Sequence, residues 1–352
     1  MNVRAMRALA CVVLLGCATD PLPEEQPPAH VATGQLEAWQ MTAPPLPTAR
    51  ANHCSAVIDD WVLAIGGNHK QGADFVKTDE IHGMQVHADG TFGTWQLLGH
   101  TPSPVTECNA AADGKTLYVI DGLYDRDADA RQVWSAVLDD TGHLSPMTSL
   151  GRLPEGTIAI SSEATVRDGE LLLMDTRLPN EGDTTVTLRT RLDGPLAWTV
   201  DDWKIGFRAQ AEYAFTADHA FVLGGYKGDA GNPVSAETFS AALDALAAPH
   251  ATAALPSPTA FGEAAAVDDW VFVAGGRSQT LGGAGGSTTV VAAHVESDGS
   301  LGAWQTVAAL TVPRTNHELA VVGDYLVLTG GAATGPGDTT VLTARVRYPT
   351  AR

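Results

Sequence analysis

The sequence predicts an all-β chain in which six four-stranded units close into a ring, a six-bladed β-propeller. Two landmarks support this fold, and each occurs six times. One is a short apolar strand ending in a Gly-Gly pair or its counterpart: Gly66-Gly67, Asp121-Gly122, Met174-Asp175, Gly224-Gly225, Gly275-Gly276 and Gly330-Gly331. The other is a turn, then Leu or Phe, then usually Trp: Leu36/Trp39, Phe92/Trp95, Leu144/Met147, Leu196/Trp198, Leu246/Pro249 and Leu301/Trp304. A spacing of 50 to 55 residues between Gly-Gly pairs is that of a four-stranded blade.

The composition agrees with many short strands joined by turns. The 352 residues include 36 glycines and 20 prolines, and few segments have the apolar period of a helix. Although the length would allow two average domains, the repeat runs through nearly the whole chain, so we expect one repeat domain.

Within a blade, the order of strands follows from the landmarks. An inner strand comes first, and the second strand ends at the Gly-Gly pair. After a loop come a third strand, such as residues 83–87, a tight Asp89-Gly90 turn, and an outer strand carrying Trp95. The loops at residues 69–74, 282–286 and 334–338 are expected to cover the mouth of the central channel.

The ring is expected to close through the two ends of the chain. Only one strand, residues 340–346, follows the last Gly-Gly pair, so the final blade lacks an outer strand. Residues 34–41 carry the outer-strand landmark and supply the missing strand, which leaves no inner sheet edge exposed.

Residues 33–348 resemble the kelch repeat. The resemblance depends on an Arg-x-Asn-His segment before the inner strand, as at Arg50 to His53 and Arg314 to His317, followed by the Gly-Gly strand and the outer Trp. Blade three departs from the pattern, with Met174-Asp175 and no Arg-x-x-His. The resemblance implies a propeller, but kelch proteins include adaptors, sugar-active enzymes and metal-dependent proteins, so it does not select a function.

The N-terminus is typical of an exported protein. Residues 1–17 have a basic start and an apolar run at 8–15 that is too short to span a bilayer. The run ends in a segment that resembles a bacterial lipobox and predicts lipidation of Cys17; the alternative is an ordinary cleaved signal. Residues 18–32 form a tether rich in Pro and Glu, and residues 33–352 the propeller. We therefore expect a lipid-anchored protein of the cell envelope, on the periplasmic or outer-surface side.

The charge limits the partners. A net charge of −20 and a pI of about 4.7 argue against nucleic acid, whose phosphates require clustered Lys and Arg. We expect a monomer that contacts the membrane only through its lipid.

One position at the start of the inner strands carries an unusual set of residues. Alignment on the Gly-Gly pairs, with one-residue adjustments in blades two and three, places there Cys54, Cys108, Glu163, Glu212, Glu263 and Glu318. In propellers this point lies at the mouth of the channel. The glutamates could bind Ca²⁺ or another divalent cation, share protons, or accept hydrogen bonds from the neighbouring blade or the Arg four residues earlier.

The preceding residues suggest further sites. His53 and His317 belong to adjacent blades and could bind a ligand or a transition metal, although His is the usual kelch residue there. Arg50, Arg208 and Arg314 could bind a carboxylate, as an Arg and a Glu flank the sugar in the resembling sialic-acid mutarotases, or could pair within their own loops. Export favours a Cys54–Cys108 disulfide, and the alternative is a pair of thiols at a metal site.

No recognisable catalytic set appears in the sequence. The favoured hypothesis is a binding module that holds a protein or glycan at the channel-mouth face. The alternatives are a sugar mutarotase or isomerase that uses Glu212, Glu263 or Glu318 as its base, and a propeller with a metal on its axis.

Overall fold

The structure, a computed structural model, describes residues 32–72, 74–122, 131–157, 159, 163–176, 186–228, 233–278, 285–333 and 337–348. The predicted signal peptide, Cys17 and residues 18–31 of the predicted tether lie outside them. The described residues form antiparallel sheets and turns in a ring of six blades, which confirms the predicted propeller. None of these residues belongs to a helix with the length and apolar character needed to cross a membrane.

The first three blades contain thirteen strands. They are β1 Cys54–Ile58, β2 Trp61–Ile65, β3 Asn68–Gln71, β4 Asp74–Gln85 and β5 Gln96–Val105 in blade one; β6 Asn109–Asp113, β7 Thr116–Ile120, β8 Gln132–Val137 and β9 Thr148–Arg152 in blade two; and β10 Glu163–Arg167, β11 Glu170–Thr176, β12 Val186–Arg191 and β13 Thr199–Asp202 in blade three.

The last three blades contain the other thirteen. They are β14 Arg208–Ala209, β15 Glu212–Phe215, β16 His219–Leu223, β17 Tyr226–Lys227, β18 Thr238–Ala242 and β19 His250–Ala251 in blade four; β20 Ala260–Val267, β21 Trp270–Arg277, β22 Val290–His294 and β23 Gln305–Thr306 in blade five; and β24 Thr315–Val322, β25 Tyr325–Ala332 and β26 Val341–Arg345 in blade six.

Blade one differs in detail from the predicted order. Its third strand, β4, is much longer than residues 83–87, because its first half pairs with β3 in a hairpin that extends beyond Gly66-Gly67. Residues 69–74, predicted as a loop, therefore belong to that hairpin. The outer strand β5 begins just after Trp95 rather than containing it.

The two ends of the chain close the ring as predicted. Residues 33–40 run beside β26: the Thr33 amide donates to the Arg347 carbonyl at 2.9 Å, and Gln40 and Thr343 exchange two hydrogen bonds of 2.9 Å. The contact is a series of bridges rather than a continuous strand. The N-terminal segment thus supplies the outer edge of blade six.

The core is divided among the six junctions between blades. Each of six apolar clusters is made by two neighbouring blades, including the cluster that joins blade six to blade one. The inner faces of the second strands are the most deeply buried, as with Leu63, Phe221 and Phe272. Because no blade buries its faces alone, the blades depend on one another for stability.

The Gly-Gly pairs allow each blade to meet the next. The second glycine donates its amide to a carbonyl of the following blade: Gly67 to Val105 at 2.9 Å, Gly225 to Thr259 at 2.8 Å, Gly276 to Arg314 at 2.9 Å and Gly331 to Arg50 at 3.0 Å. The first glycine lies against the same carbonyl, and a Cβ at Gly330 would be 2.5 Å from the Arg50 oxygen. Glycine is therefore required by the close approach of two backbones.

The outer tryptophans make a second connection between blades. Each indole N–H donates to a carbonyl of the preceding blade or of the segment that leaves it: Trp39 to Ala308 at 3.0 Å, Trp95 to Pro44 at 2.9 Å, Trp198 to Arg152 at 2.8 Å and Trp304 to Ala253 at 2.7 Å. Blades two and four have Met147 and Pro249 at this landmark, and neither side chain can donate such a bond.

Gly224→Ala tests the contact between blades, with Gly114→Ala as its matched control. Both glycines have positive φ, 67° and 53°, but a Cβ at Gly224 would lie 2.3 Å from the Thr259 oxygen, whereas nothing lies within 4 Å at Gly114. Chemical denaturation should show a loss of unfolding free energy of about 1–2 kcal/mol for the control, from backbone strain. Gly224→Ala should lose about 2 kcal/mol more, because the carbonyl must move. Equal losses would contradict this account of the pair.

Candidate functional site

The strand register fixes which residues share the ring position. Cys54, Glu163, Glu212, Glu263 and Glu318 pair with Ile65, Met174, Leu223, Ala274 and Thr329, and all but Met174 directly precede a Gly-Gly pair. In blade two the equivalent residue is Asn109, paired with Ile120. The assignment of Cys108 to this position is therefore wrong by one residue. In blade three the counterpart of Gly-Gly is Asp175-Thr176, one residue later than predicted.

A backbone belt surrounds the channel two residues before the ring position. Its residues share a positive φ of 50° to 61°: Asn52, Glu107, Gln210, Phe261 and Asn316. Three of their amides donate to the carbonyl of the previous residue of the belt, from Asn52 to Asn316, from Glu107 to Asn52 and from Phe261 to Gln210, at 2.7–3.2 Å. Asn316 Nδ2 also donates to Asn52 Oδ1 at 2.7 Å. The belt narrows the mouth.

A small chamber lies on the axis next to this belt. Its volume is about 50 Å³, and Glu107, Asn109, Glu163, Glu263 and Glu318 contribute to its wall, whereas Glu212 is not part of it. This space holds a few waters or a small ion, whereas ordinary ligand pockets measure about 300–1,000 Å³. The chamber, the belt and the hairpin of blade one all lie at the channel-mouth end of the ring.

Two ring carboxylates hydrogen-bond to the neighbouring blade. Glu212 Oε1 accepts the Gly262 amide at 2.9 Å, and Glu318 Oε2 accepts the Ser55 hydroxyl at 2.9 Å. The predicted alternative, in which ring glutamates accept hydrogen bonds across a junction, therefore describes these two residues. Glu212 is fully buried, while Glu318 retains some contact with the chamber.

The environment of the ring favours protonated carboxyls. Burial raises the pKa of Glu212 to about 8 and that of Glu318 to about 8, and their hydrogen bonds oppose the shift only in part. Burial, reinforced by the charge of Glu318, holds the pKa of Glu163 and Glu263 well above 4.5. These groups therefore share and exchange protons near neutral pH.

The two cysteines form the predicted disulfide. Cys54 and Cys108 are bonded across the junction of blades one and two, with Cα atoms 5.4 Å apart. The alternative of free thiols at a metal site is therefore excluded. On the loop-entropy view, closing a 54-residue loop stabilises the fold by roughly 3–4 kcal/mol.

His53 and His317 are buried and neutral. The Nε2 atom of His53 lies 2.8 Å from the Thr329 hydroxyl of blade six. Burial, helped by Arg50 and His317, holds the pKa of His53 well below its usual value. Burial and Arg314 lower the pKa of His317 to about 3. Their predicted ligand role stays a prediction. The contact with Thr329 places His53 in the junction between blades six and one, whereas the ring of His317 lies beside Gly275 of blade five.

The three arginines lie inside the blades. Arg50 is fully buried and donates to the carbonyls of Ala64 and Gly66 at 3.3 and 3.1 Å. Arg208 pairs with Glu237 rather than Glu212. Arg314 pairs with Asp338 at 2.6 Å rather than with Glu318. The predicted pairing of an Arg with the Glu four residues later is therefore wrong for both Arg208 and Arg314. Arg50 is fully buried and exposes no surface to a ligand.

The predicted metal site has no ready-made ligand cluster. In the part of the chain that the structure describes, no three His, Cys, Asp or Glu side chains are grouped so that they could hold a metal ion. Three of the four ring glutamates, Glu163, Glu263 and Glu318, nevertheless face one chamber, and the role of the ring glutamates as metal ligands stays a prediction.

Two residues of the site were missed by sequence reasoning. Asn109 is 2% exposed, and neither polar atom of its side-chain amide has a partner. Glu107, whose pKa burial raises to about 7, belongs to the belt. The sequence alone could have indicated both residues. Shifting the alignment of blade two by one residue places Asn109 with the ring glutamates and Glu107 with the belt residues Asn52, Gln210 and Asn316.

Comparison with known proteins supports the fold alone. No family model and no curated protein matches the chain. Among solved structures, the chain is similar to one titled "Structure of YjhT", with a TM-score of 0.65 and 15% sequence identity over 86% of this chain and 99% of that one. At this identity the likeness shows a common propeller architecture.

The raised pKa values predict that the protein loses stability as pH increases. The folded state keeps the Glu212 proton up to about pH 8, whereas the unfolded chain releases it near 4.5. The protonated Glu212 contributes its full share of the unfolding free energy below pH 4.5, and this contribution is lost as the pH rises to about 8. Full ionisation costs on the order of 5 kcal/mol. Chemical denaturation should be measured from pH 7 to 8.5. In this range the titration of His53 and His317 adds little to the slope, because both are mostly neutral in the folded and the unfolded states.

Glu212→Gln should flatten this pH dependence, because the amide keeps the shape of the side chain without the ionisation. Glu296→Gln is the control, since that side chain is 56% exposed and should leave the slope as in the wild type. A slope that Glu212→Gln does not change would contradict a proton held by this residue.

Proposed function

We propose that the chain is a lipid-anchored, extracytoplasmic propeller with kelch-type blades that binds a protein or glycan on its channel-mouth face. The observation that supports this most is the hairpin of β3 and β4, which extends from blade one at that face. At its tip Phe75 is 67% exposed, the highest value among the described large apolar side chains that are exposed.

The hairpin has the features of a binding element. Lys70 pairs with Phe75 across it, and Asn68 pairs with Lys77, so two cations flank an exposed ring in a protein whose net charge is −20. A single exposed apolar residue is ordinary on a surface. An aromatic residue on a two-stranded projection beside cations is typical of the anchors that dominate binding interfaces.

The alternative of a sugar isomerase has less support. Two of its catalytic glutamates, Glu263 and Glu318, would lie in a chamber of about 50 Å³, too small to receive a sugar, and the third, Glu212, is fully buried. Its carboxylate clamp would be Arg50, Arg208 or Arg314, each of which is less than 5% exposed and already bonded within its blade. Binding at the hairpin, by contrast, requires neither the ring glutamates nor these arginines to move.

The position of the N-terminal end supports display of this face. The Ala32 amide donates to Asp268 Oδ2 at 2.7 Å, and Asp268 lies in the turn between β20 and β21, at the face opposite the channel mouth. A lipid at Cys17 and a tether that arrives at this point would direct the channel-mouth face away from the membrane.

Phe75→Ala tests the binding surface, with Leu97→Ala as its control. Leu97 is 48% exposed on the outer strand of the same blade. The full chain should be screened on a glycan array and by photo-crosslinking from position 75 in envelope extracts, and affinity for the ligand found should then be measured. Loss of one aromatic anchor should weaken binding by roughly tenfold or more, and Leu97→Ala should not change it.

Two results would contradict the proposed function. One is equal binding by wild type and Phe75→Ala, which would place the ligand elsewhere. The other is turnover by the dialysed protein on a panel of sugars, which is abolished by Glu→Gln substitution at Glu212, Glu263 or Glu318.

Fluorescence quenching tests the proposed orientation. A dye on Gln71→Cys, in the hairpin, is compared with a dye on Ser297→Cys, in a turn of the opposite face; both residues are exposed. In nanodiscs that contain quencher lipids, we expect stronger quenching at position 297. Equal or reversed quenching would contradict the orientation, and membrane attachment that persists after Cys17→Ser would contradict the anchor.

A further inference from the structure

The axial chamber contains polar atoms that no protein group satisfies. Asn109, at 2% exposed, has neither its Oδ1 nor its Nδ2 atom paired. It lines the chamber together with Glu163, Glu263 and Glu318, whereas Glu212 lies outside the wall, against Gly224 and Gly262 at the junction of blades four and five. A buried polar group without a partner costs about 1–3 kcal/mol, so the chamber is arranged to hold a polar guest.

The charges around the chamber are acidic and have no internal cation. The titratable residues that line it are the carboxyl groups of Glu107, Glu163, Glu263 and Glu318, the imidazoles of His53 and His317 and the phenol of Tyr213. No lysine or arginine is among the described residues of its wall. His53 and His317 are neutral, as described above, so neither compensates a carboxylate.

We propose that the chamber binds one compact monovalent cation of the ammonium type, which donates hydrogen bonds to Asn109 Oδ1 and to the ring carboxyls of Glu163, Glu263 and Glu318. This site is separate from the partner surface proposed at the hairpin. A space of about 50 Å³ admits an ammonium ion with a few waters at most.

The hydrogen-bond geometry favours this guest over a divalent metal. Calcium requires six to eight close oxygens and magnesium an octahedron. One oxygen of Glu318 is already engaged by Ser55, and no cluster of three ligands is present among the described residues. An ammonium ion instead matches a few separated acceptors.

Entry of the cation is coupled to the release of a proton from the ring. At neutral pH the ring holds protons, because burial and mutual repulsion raise the pKa values of its carboxyls. When a cation enters, one carboxyl gives its proton to solvent and the carboxylate becomes the counter-ion, so the charge of the chamber does not change. Binding should therefore release up to one proton and should weaken as pH falls.

The experiment uses the full chain in detergent, dialysed into choline chloride at pH 8. Ammonium, methylammonium, potassium, tetramethylammonium or calcium chloride then replaces choline at constant ionic strength. Thermal melting and proton release in weak buffer are measured for each. We expect ammonium to raise the Tm by at least about 2 °C and to release protons, tetramethylammonium to do neither, and both effects to vanish at pH 5.5. A matching response to potassium would identify an alkali cation as the guest of the same site.

Variants locate the effect. Glu163→Gln and, separately, Glu263→Gln should weaken ammonium binding at least tenfold, while Glu296→Gln, on the surface, should bind as the wild type does. The proposal is overturned by the absence of any ion-specific shift, by an equal response to tetramethylammonium, by a response to calcium alone, or by ring variants that respond like Glu296→Gln.

Discussion

The contact between a glycine pair and the carbonyl of the next blade is the constraint on which the ring depends. Gly331 donates to Arg50 across the junction where the chain ends meet. A carbonyl that approaches a Cα this closely leaves no room for a side chain, as the 2.5 Å separation at Gly330 shows. Because each blade buries its apolar faces only against its neighbours, this approach distance sets how closely the inner strands converge.

That convergence creates the chemistry of the axis. Because the inner strands lie close together, the belt residues Asn52, Glu107 and Asn316 hydrogen-bond to one another around the mouth of the channel. Most side chains two residues later in the chain face the axial chamber. Carboxyl groups placed there lose water and repel one another, so their pKa values rise. The same tight packing that stabilises the ring thus excludes bulky substrates and retains protons.

The sequence predicts the fold far better than the site. Gly-Gly pairs and tryptophans recur because each makes one fixed contact between blades, so blade number and closure could be predicted from spacing. The disulfide was predicted because both cysteines stand near the start of the inner strand in adjacent blades. Asn109 was missed because blade two has Asp121 in place of the first glycine, and the one-residue adjustment made there placed Cys108 out of register. The destinations of Arg208 and Arg314 depend on Glu237 and Asp338, whose loops have no repeated pattern.

The ring is asymmetric, and this asymmetry explains how it tolerates buried acids. Carboxyls occupy blades three to six, whereas blades one and two contribute Cys54 and the amide of Asn109, and the Cys54–Cys108 bond closes their junction. Six carboxyls would multiply the repulsion at the axis; this ring has four, two of them bonded to Gly262 and Ser55, and blade two adds Glu107 of the belt to the wall of the chamber. The disulfide fixes a junction at which neither ring position carries a carboxyl. The propeller therefore combines a covalently fixed side with a proton-holding side around one chamber.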